Sequence, residues 1–255
     1  MIRRQHVSII LLFLLGFFLL STSLIYAADT GEPDASGFES SDIAALEKDF
    51  ENQSSNVFDP LSGYNRIMTT VNDKIYFWFL KPVAQGYNYV VPEIVRTSID
   101  RCFTNALFPV RFVNNLLQLK FKRAGIEISR FVVNTTVGIG GLADPAMAWL
   151  DLHPYDEDLG QTLGYYGLGG GFPIVWPVFG PSNVRDTVGM VGDFFLDPIN
   201  YIDNMYISTG IQTYKRLNHT SLHIGEYESI KKDSVDLYIL LRDAYEQKRN
   251  KDIEE

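Results

Sequence analysis

The sequence contains very little cysteine: Cys102 is the only one in 255 residues. A single thiol excludes an intrachain disulfide framework. It also cannot be a lipoprotein acylation site, because a bacterial lipoprotein carries its acylated cysteine directly after the signal peptide. We interpret Cys102 as an unreactive thiol buried on the apolar face of a helix.

Positive charge is also scarce, since the chain has 22 basic and 31 acidic residues and a formal net charge of −9. Residues 1–27 carry Arg3 and Arg4 and no acid, so the chain without them has a net charge of −11. A surface of this sign does not attract nucleic acid, which we exclude as a partner.

Motifs of catalysis and cofactor binding are missing as well. No G-x-S-x-G sequence occurs, and Thr220 stands between His219 and His223 where a zinc protease needs a glutamate. These histidines are interpreted as solvated residues at a helix end. "GIGGLA" (138–143) approaches a dinucleotide-binding loop, but Asp144 follows it at once, so a helix C-cap and tight turn are favoured. We expect no enzymatic activity, no metal and no cofactor.

Two runs of charge have structural interpretations. "YDEDLGQTLGYY" (155–166) begins with three acids, which is typical of a helix N-terminus because the helix dipole favours negative charge there. The alternative is a pair of hydrolase carboxylates. "KFKR" (120–123) is interpreted as a solvated loop between helices, with contact to lipid phosphates as the alternative.

Long hydrophobic runs are confined to the N-terminus. Residues 1–27 have the layout of a cleaved signal peptide, and an uncleaved membrane anchor is the alternative. No later run of 18 apolar residues predicts a membrane-spanning helix. The remaining apolar segments are short: "IYFWFL" (75–80), "LFPVRFV" (107–113) and "FPIVWPVF" (172–179).

Alternation with period two is nearly absent, whereas apolar residues often recur at spacings of three and four, which predicts an all-α fold. Residues 28–56 read as an acidic, flexible leader with a short helix over 42–50, residues 57–250 as one helical domain, and residues 251–255 as a charged tail. The predicted helices cover 61–79, ended or kinked at Pro82, then 92–107, from 109 onward, 124–136 and 227–248.

What the sequence has in abundance is glycine, proline and aromatic residues in one stretch, "LGYYGLGGGFPIVWPVFGPSNVRD" (163–186). Pro173, Pro177 and Pro181 exclude a regular helix or a central strand. The stretch has no Walker lysine, so it is not a phosphate-binding loop. In water it would form a large apolar patch, so it suits a membrane surface, and a buried core loop is the alternative.

The next segment, "SNVRDTVGMVGDFF" (182–195), predicts a helix capped by Ser182 or Asn183. One face carries Val188 and other apolar residues, and another carries Gly189, Gly192 and Asp193. Such a helix suits a path for a molecule with apolar tails and a charged head. The alternative is that the glycines only permit close helix packing.

Several segments together resemble the MlaA (VacJ) family over residues 57–250. They are "FDPLSGYNRIM" (58–68), "LKPVAQGYNYVVP" (80–92), "ISRFVVNTTVGIGGLAD" (128–144), "EDLGQTLGYYGLGGGFPIVWPVFGPSNVRD" (157–186), "FLDPINYI" (195–202) and "YILLRDAYEQKR" (238–249). The long glycine–proline block is the most specific of them.

The resemblance implies an all-helical, ring-shaped, monotopic protein of the outer membrane with a central amphipathic channel. It implies a non-enzymatic conduit that takes misplaced phospholipid from the outer leaflet to a periplasmic lipid-carrier protein, in association with a trimeric porin. The alternatives are a structural, porin-associated envelope protein and a periplasmic lipid hydrolase.

The resemblance places the glycine–proline stretch and the helix after it at the lip or wall of the channel. The predicted channel residues are Gly169, Gly170, Phe172, Ile174, Trp176, Phe179, Arg185, Val188, Gly189 and Gly192. The family is typically lipidated, and this sequence lacks the acylated cysteine. We therefore expect a protein without a lipid anchor at the periplasmic face of the outer membrane.

Overall fold

The computed structural model describes residues 57–255. The predicted signal peptide (1–27), the acidic leader (28–56) and the short helix over 42–50 lie outside the described residues. Everything below concerns residues 57–255.

The described chain is mainly helical, with one small two-stranded sheet, which confirms the predicted all-α class. Proline or a polar cap opens most of the helices, as expected from the sequence. In chain order the α-helices are α1 (Ser62–Ile75), α2 (Lys81–Val90), α3 (Glu93–Ala106), α4 (Phe108–Leu117), α5 (Phe121–Thr136), α6 (Pro145–Leu150), α7 (Leu159–Tyr165), α8 (Val184–Phe194), α9 (Met205–Leu222), α10 (Glu226–Lys232) and α11 (Leu237–Glu254).

The first predicted helix does not end at Pro82. A π-helical turn, Tyr76–Leu80, joins α1 directly to α2, and the backbone N–H of Lys81 donates to the carbonyl of Tyr76 five residues earlier. Pro82 lies in the first turn of α2, after this change of hydrogen-bond register, so its missing N–H does not interrupt the chain of bonds.

The predicted C-terminal helix is in fact two helices. The first helix ends at its C-cap, Asp233, and the second begins at its N-cap, Asp236. The Asp236 carboxylate accepts hydrogen bonds from the backbone N–H groups of Tyr238 and Ile239. Aspartate favours this N-cap position over a helix interior. The predicted tail is also helical, because α11 continues through Glu254.

Part of the glycine–proline stretch, predicted as an irregular loop, forms a two-stranded antiparallel hairpin. Strand β1 (Pro173–Trp176) pairs with β2 (Gly180–Asn183), with Trp176 opposite Gly180. Proline is tolerated because both strands of a two-stranded sheet are edge strands.

The hairpin lies between helices that are distant in sequence. Helix α1 packs along β1, and α11 packs against β2 and α7. Helix α7 also packs closely on α8, while α9 packs on α2 and α3. Within residues 57–255, no helix has both the length and the apolar character needed to cross a membrane.

Candidate functional site

The interior of the described chain is unusually polar. Apart from glycine and proline, six buried residues are apolar or aromatic, three of them alanines, whereas twenty-two buried residues are polar or charged. Soluble proteins show the opposite preference. The largest fully buried side chains are Gln118, Glu127, Asn65, Asn114, Asn115, Asn183 and Asn218.

Large apolar side chains lie on the outside instead. Trp78 and Phe79 of the π-helical turn are 60% and 62% exposed, and Tyr89 at the end of α2 is 93% exposed. A second set lies on α8 and the segment after it: Val188, Met190, Val191, Phe194, Phe195, Tyr201, Met205, Tyr206 and Ile207. Exposed apolar surface on this scale is typical of a protein that contacts lipid or another protein.

Hydrogen bonds, several of them charge-assisted, connect many of the buried polar groups. The Glu127 carboxylate accepts from Arg111 Nε at 2.8 Å and from the backbone N–H of Tyr155 at 2.8 Å. Such bonds are roughly twice as strong as neutral ones. The interior is therefore held by polar pairs rather than by an apolar core.

The structure places the segment "KFKR" (120–123) differently from its prediction. Lys120 directly precedes α5 and Arg123 lies in its first turn, so the segment is not a solvated loop. Both side chains bind the buried carboxylate of Glu157, at 2.8 and 3.1 Å. The acids before α7 do mark a helix start, as predicted, because the Asp158 side chain accepts from the backbone N–H of Gln161.

Two asparagines of α1 hold the free edge of β1. Asn65 donates to the carbonyl of Pro173 at 3.0 Å and accepts from the N–H of Val175 at 2.9 Å. Asn72 donates to the carbonyl of Trp176 at 2.9 Å and accepts from the N–H of Val178 at 2.7 Å.

The spacing of these two asparagines matches the strand. Seven helical residues rise about 10.5 Å, and three strand residues rise about 10 Å, so one amide meets the strand at each end. The pair replaces a third strand and protects an edge that would otherwise be unpaired. Sequence analysis missed both residues, although two asparagines seven apart in an otherwise amphipathic helix are a readable signal.

The tip of the hairpin is strained and exposed. Val178 has φ +69°, a conformation that β-branched residues rarely adopt. Its carbonyl accepts a hydrogen bond from Arg216 Nη2 at 2.9 Å, and its N–H is held by Asn72. Val178 and Phe179 are 52% and 69% exposed. Strain of this kind is found where the surrounding structure fixes a functional segment.

The predicted channel residues of the hairpin region occupy different environments. Gly169 has open space beside it, whereas Gly170 packs against the side chain of Asn183. Phe179 is largely exposed. Phe172, Ile174 and Trp176 are half-buried, and the indole N–H of Trp176 donates to Thr187 at 3.0 Å.

Helix α8 begins as predicted, with the Asn183 side chain accepting from the backbone N–H of Asp186 at 2.8 Å. Its apolar face is exposed, since Val188 and Val191 are 56% and 60% accessible. A Cβ atom at Gly189 would collide with the backbone of Gly160 in α7.

Gly192 also faces α7, since a Cβ atom there would meet the end of the Leu159 side chain, which is flexible. The small face of α8 therefore packs on α7, most tightly at Gly189. This is the close-packing role that the sequence had left as the alternative.

Arg185 is likewise not exposed at a lip. It is 6% accessible, and its Nε donates to Asp186 Oδ1 at 2.9 Å. It lies inside a network centred on Asp186, whose other carboxylate oxygen accepts from Tyr245 at 2.7 Å and from Arg249 at 2.9 Å.

This network joins α7, α8 and α11, because Arg249 also binds the carboxylate of Asp158 at 2.7 and 2.8 Å. Burial alone would raise the pKa of Asp186, but the hydrogen bonds from Arg249, Arg185 and Tyr245 outweigh it and lower that pKa. Sequence analysis missed Arg249, since it appeared only as one of many charges on a C-terminal helix.

A cleft of about 260 Å³ opens beside the network. Trp176, Phe179 and Met190 supply apolar walls, and charged groups of α7, α8 and α11 lie next to them. Asp193 is one of these groups. It accepts from Asn114 Nδ2 at 2.9 Å and from the N–H of Leu159 at 3.1 Å. Burial raises the pKa of Asp193 to about 6. The cleft thus combines apolar and charged surfaces.

The remaining sequence motifs lie where a structural role explains them. After α5, Gly140 and Gly141 adopt positive φ, and the N–H of Gly141 donates to the carbonyl of Asn134, which confirms the predicted C-cap turn. His219 and His223 stack at the end of α9 with ring centroids 4.2 Å apart. Among the described residues, no group of His, Cys, Asp or Glu is arranged to hold a metal ion.

Cys102 lies in α3 and is only partly buried, so it is less enclosed than predicted.

The fold and the site define an all-α protein with a polar, hydrogen-bonded interior and an apolar exterior, a class suited to the surface of a membrane. Residues 57–252 match the model of the family described as "MlaA lipoprotein". The chain belongs to the MlaA family.

Curated relatives agree with this assignment. The chain is 29% identical to the intermembrane phospholipid transport system lipoprotein MlaA of Escherichia coli, over 75% of this chain and 77% of that protein. It is 31% identical to the protein of the same name from Haemophilus influenzae, over 74% and 76%. A protein of Rickettsia felis is 29% identical over 80% and 81%.

A solved structure has the same fold. It is described as the "structural basis for maintenance of bacterial outer membrane lipid asymmetry", and it superposes with a TM-score of 0.68 at 31% identity. The match covers 76% of this chain and 98% of that one.

Proposed function

We propose that this protein is a non-enzymatic phospholipid conduit of the bacterial outer membrane. It takes mislocalised phospholipid from the outer leaflet and passes it towards the periplasm for return to the inner membrane. The observation that carries the proposal is the combination of MlaA family membership with a reversed polarity, polar inside and apolar outside. Such a body is stable where lipid rather than water covers its outer surface.

The exposed apolar residues of α8 and of the π-helical turn supply membrane attachment. From the family we infer that the protein lies in one leaflet, reached from the periplasmic side. Attachment through this surface adds to any lipid anchor, since a single acyl chain gives only marginal membrane binding.

The hairpin tip and the cleft beside it supply the lip of the lipid path. Trp176 and Phe179 meet acyl chains, and the charged groups of the cleft lie within reach of a headgroup. Aromatic residues of this kind suit the boundary between apolar and wet regions. The protein associates with a trimeric porin and a periplasmic carrier receives the lipid, as we infer from the family.

Native mass spectrometry of the protein extracted from membranes tests the proposal. A conduit carries co-purifying phospholipid, and it leaves phospholipid mass unchanged during incubation. A purely structural partner of a porin carries none, and a hydrolase consumes it. Either of these two outcomes contradicts the proposal.

A further inference from the structure

Helix α9 carries two adjacent cations, Lys215 and Arg216, whose charges no ion pair explains. Among residues 57–255, neither side chain has a carboxylate oxygen within 4.0 Å. Arg216 forms one side-chain hydrogen bond, to the carbonyl of Val178 at the hairpin tip. Lys215 is half-buried and has no hydrogen-bond partner in the described chain.

The nearest acids are already engaged elsewhere. Asp197 accepts from Gln212 Nε2 at 2.8 Å and from the backbone N–H of Ile199 at 2.9 Å. Asp100 faces His219, whose Nδ1 lies 3.5 Å from its carboxylate. These two acids raise the pKa of Lys215, but burial has the larger effect and lowers it.

A partly buried cation without a partner costs free energy, and proteins retain such groups where a ligand completes them. Arg111 is near enough for its positive charge to lower the pKa of Lys215 further, although its own Nε is paired with Glu127. The missing partner of the half-buried Lys215 is therefore an anion, and the exposed Arg216 next to it in sequence adds a second positive charge.

The surroundings of the two cations indicate which kind of anion. Met205 and Arg216 lie on one face of α9, because they are eleven positions apart in sequence, which is about three helical turns. Met205, Tyr206 and Ile207 are exposed at the start of this helix. Arg216 also contacts the hairpin tip, next to the exposed ring of Phe179. Exposed apolar surface thus adjoins Arg216 at the hairpin tip, and a second apolar patch lies about three helical turns away at the start of α9.

We propose that Lys215 and Arg216 form a binding site for the phosphate of a phospholipid, whose acyl chains lie along the apolar start of α9 and the hairpin tip. This site rests on the proposed function and specifies it, because it gives the headgroup a fixed position on its path. Arginine and lysine are the residues that proteins use to bind phosphate.

The test measures binding of a short-chain phosphatidylglycerol and of the matching diacylglycerol to the full chain in detergent. The variants are Lys215→Gln and the double variant Lys215→Gln/Arg216→Gln. Lys215→Gln removes no hydrogen bond of the described chain, so its effect cannot come from a loosened hairpin. The control is Lys232→Gln/Lys248→Gln, which removes two charges from exposed lysines of α10 and α11.

We expect the double variant to bind the phospholipid about tenfold more weakly, because charge-assisted bonds to phosphate are lost. Lys215→Gln alone gives part of this loss, the control gives none, and diacylglycerol binds all variants equally. Circular dichroism checks that every variant is folded. Phospholipid binding by the double variant at the wild-type level overturns the proposal, and so does an equal loss of diacylglycerol binding.

Inorganic phosphate distinguishes the two sources of the anion. Weak competition supports the lipid, whereas competition as strong as that of the phospholipid means a free-phosphate site and overturns the lipid assignment. The outcome is separate from that of the conduit itself. If wild-type protein binds phospholipid through Lys215 and Arg216 but moves none, the proposed function fails and the site stands. If it moves phospholipid and the double variant binds normally, the site alone fails.

Discussion

At the scale of single residues, buried positions determine how the helices pack on one another. Asp193 and Gly189 lie on the same helix, and each fixes α8 against α7 in a different way. Asp193 does so through a carboxylate that burial makes costly to ionise, whereas Gly189 does so by having no side chain. Both effects can be measured by substitution.

Asp193→Asn tests the first effect. The pKa of Asp193 is raised from 3.8 to about 6, so between these values the folded state holds a proton that the unfolded chain has released. Wild-type stability therefore falls as the pH rises through this window, and the loss is complete above about pH 6. The free energy of unfolding of Asp193→Asn, minus that of wild type, should therefore be on the order of 3 kcal/mol larger at neutral pH than at a pH below 3.8, since one pKa unit is about 1.4 kcal/mol.

Denaturant titrations of both proteins across this pH range provide the measurement. Carboxylates with lowered pKa, such as Asp186 and Asp144, titrate alike in both proteins and cancel in the difference. A stability difference that does not change with pH would show that Asp193 is not buried as described.

Gly189→Ala tests the second effect. The new Cβ atom meets the backbone of Gly160, which cannot rotate away, so α7 and α8 must separate. We expect a loss of about 1–3 kcal/mol, typical of overpacking. The matched control is Gly210→Ala in α9, where nothing lies within 4 Å. That change should stabilise the helix by up to about 1 kcal/mol. Thermal unfolding followed by circular dichroism measures the stability of both variants. Equal changes in stability for the two substitutions would refute the packing of α8 on α7.

At the scale of elements, the hairpin depends on a helix rather than on a larger sheet. A two-stranded hairpin is marginal in water by itself. Here Asn65 and Asn72 extend its hydrogen bonding on one side, and α11 packs against β2 on the other. The hairpin can thus present its aromatic residues outward without losing its own backbone order.

Asn72→Leu removes one of these supports while keeping a side chain of similar size. The N–H of Val178 then loses its acceptor, and we expect its hydrogen exchange to accelerate about tenfold, in line with the loss of a hydrogen bond worth about 1 kcal/mol. Asn88→Leu, on the exposed face of α2, is the control and should leave this amide unchanged. If the hydrogen exchange of the Val178 amide were unchanged in Asn72→Leu, the hairpin would not depend on Asn72 for its stability.

Elements were predictable from the sequence where local signals decide them. The spacing of apolar residues and the prolines at 92 and 109 located α3 and α4, and Asn183 located the start of α8. The hairpin was not predictable, because the backbone bonds that stabilise it come from asparagines about 105 residues away. The same holds for Gly189, where sequence spacing gives the face of a helix but not what fills it.

At the scale of the whole molecule, the apolar exterior determines where the protein resides. Membrane attachment should depend on the exposed face of α8, since Val188, Val191 and Phe195 are each more than half exposed. Replacing all three by serine removes apolar surface that the membrane would otherwise cover. At about 25 cal/mol per Å², this weakens membrane binding by several kcal/mol. We expect this variant to move towards the soluble fraction in vesicle flotation, while Val188→Leu/Val191→Leu floats like wild type. Equal flotation of the serine variant would place the membrane contact elsewhere.

The central claim is that the protein removes phospholipid from the outer leaflet of the outer membrane. The most direct measurement is the amount of amine-bearing phospholipid that an impermeant amine-reactive reagent labels on intact cells. The cells lack their own MlaA family member and carry either this chain or an empty vector. The account predicts that labelling is high with the empty vector and falls to the level of unmodified cells when this chain is present. Labelling that stays high, although the chain is folded and found in the outer membrane, would contradict it.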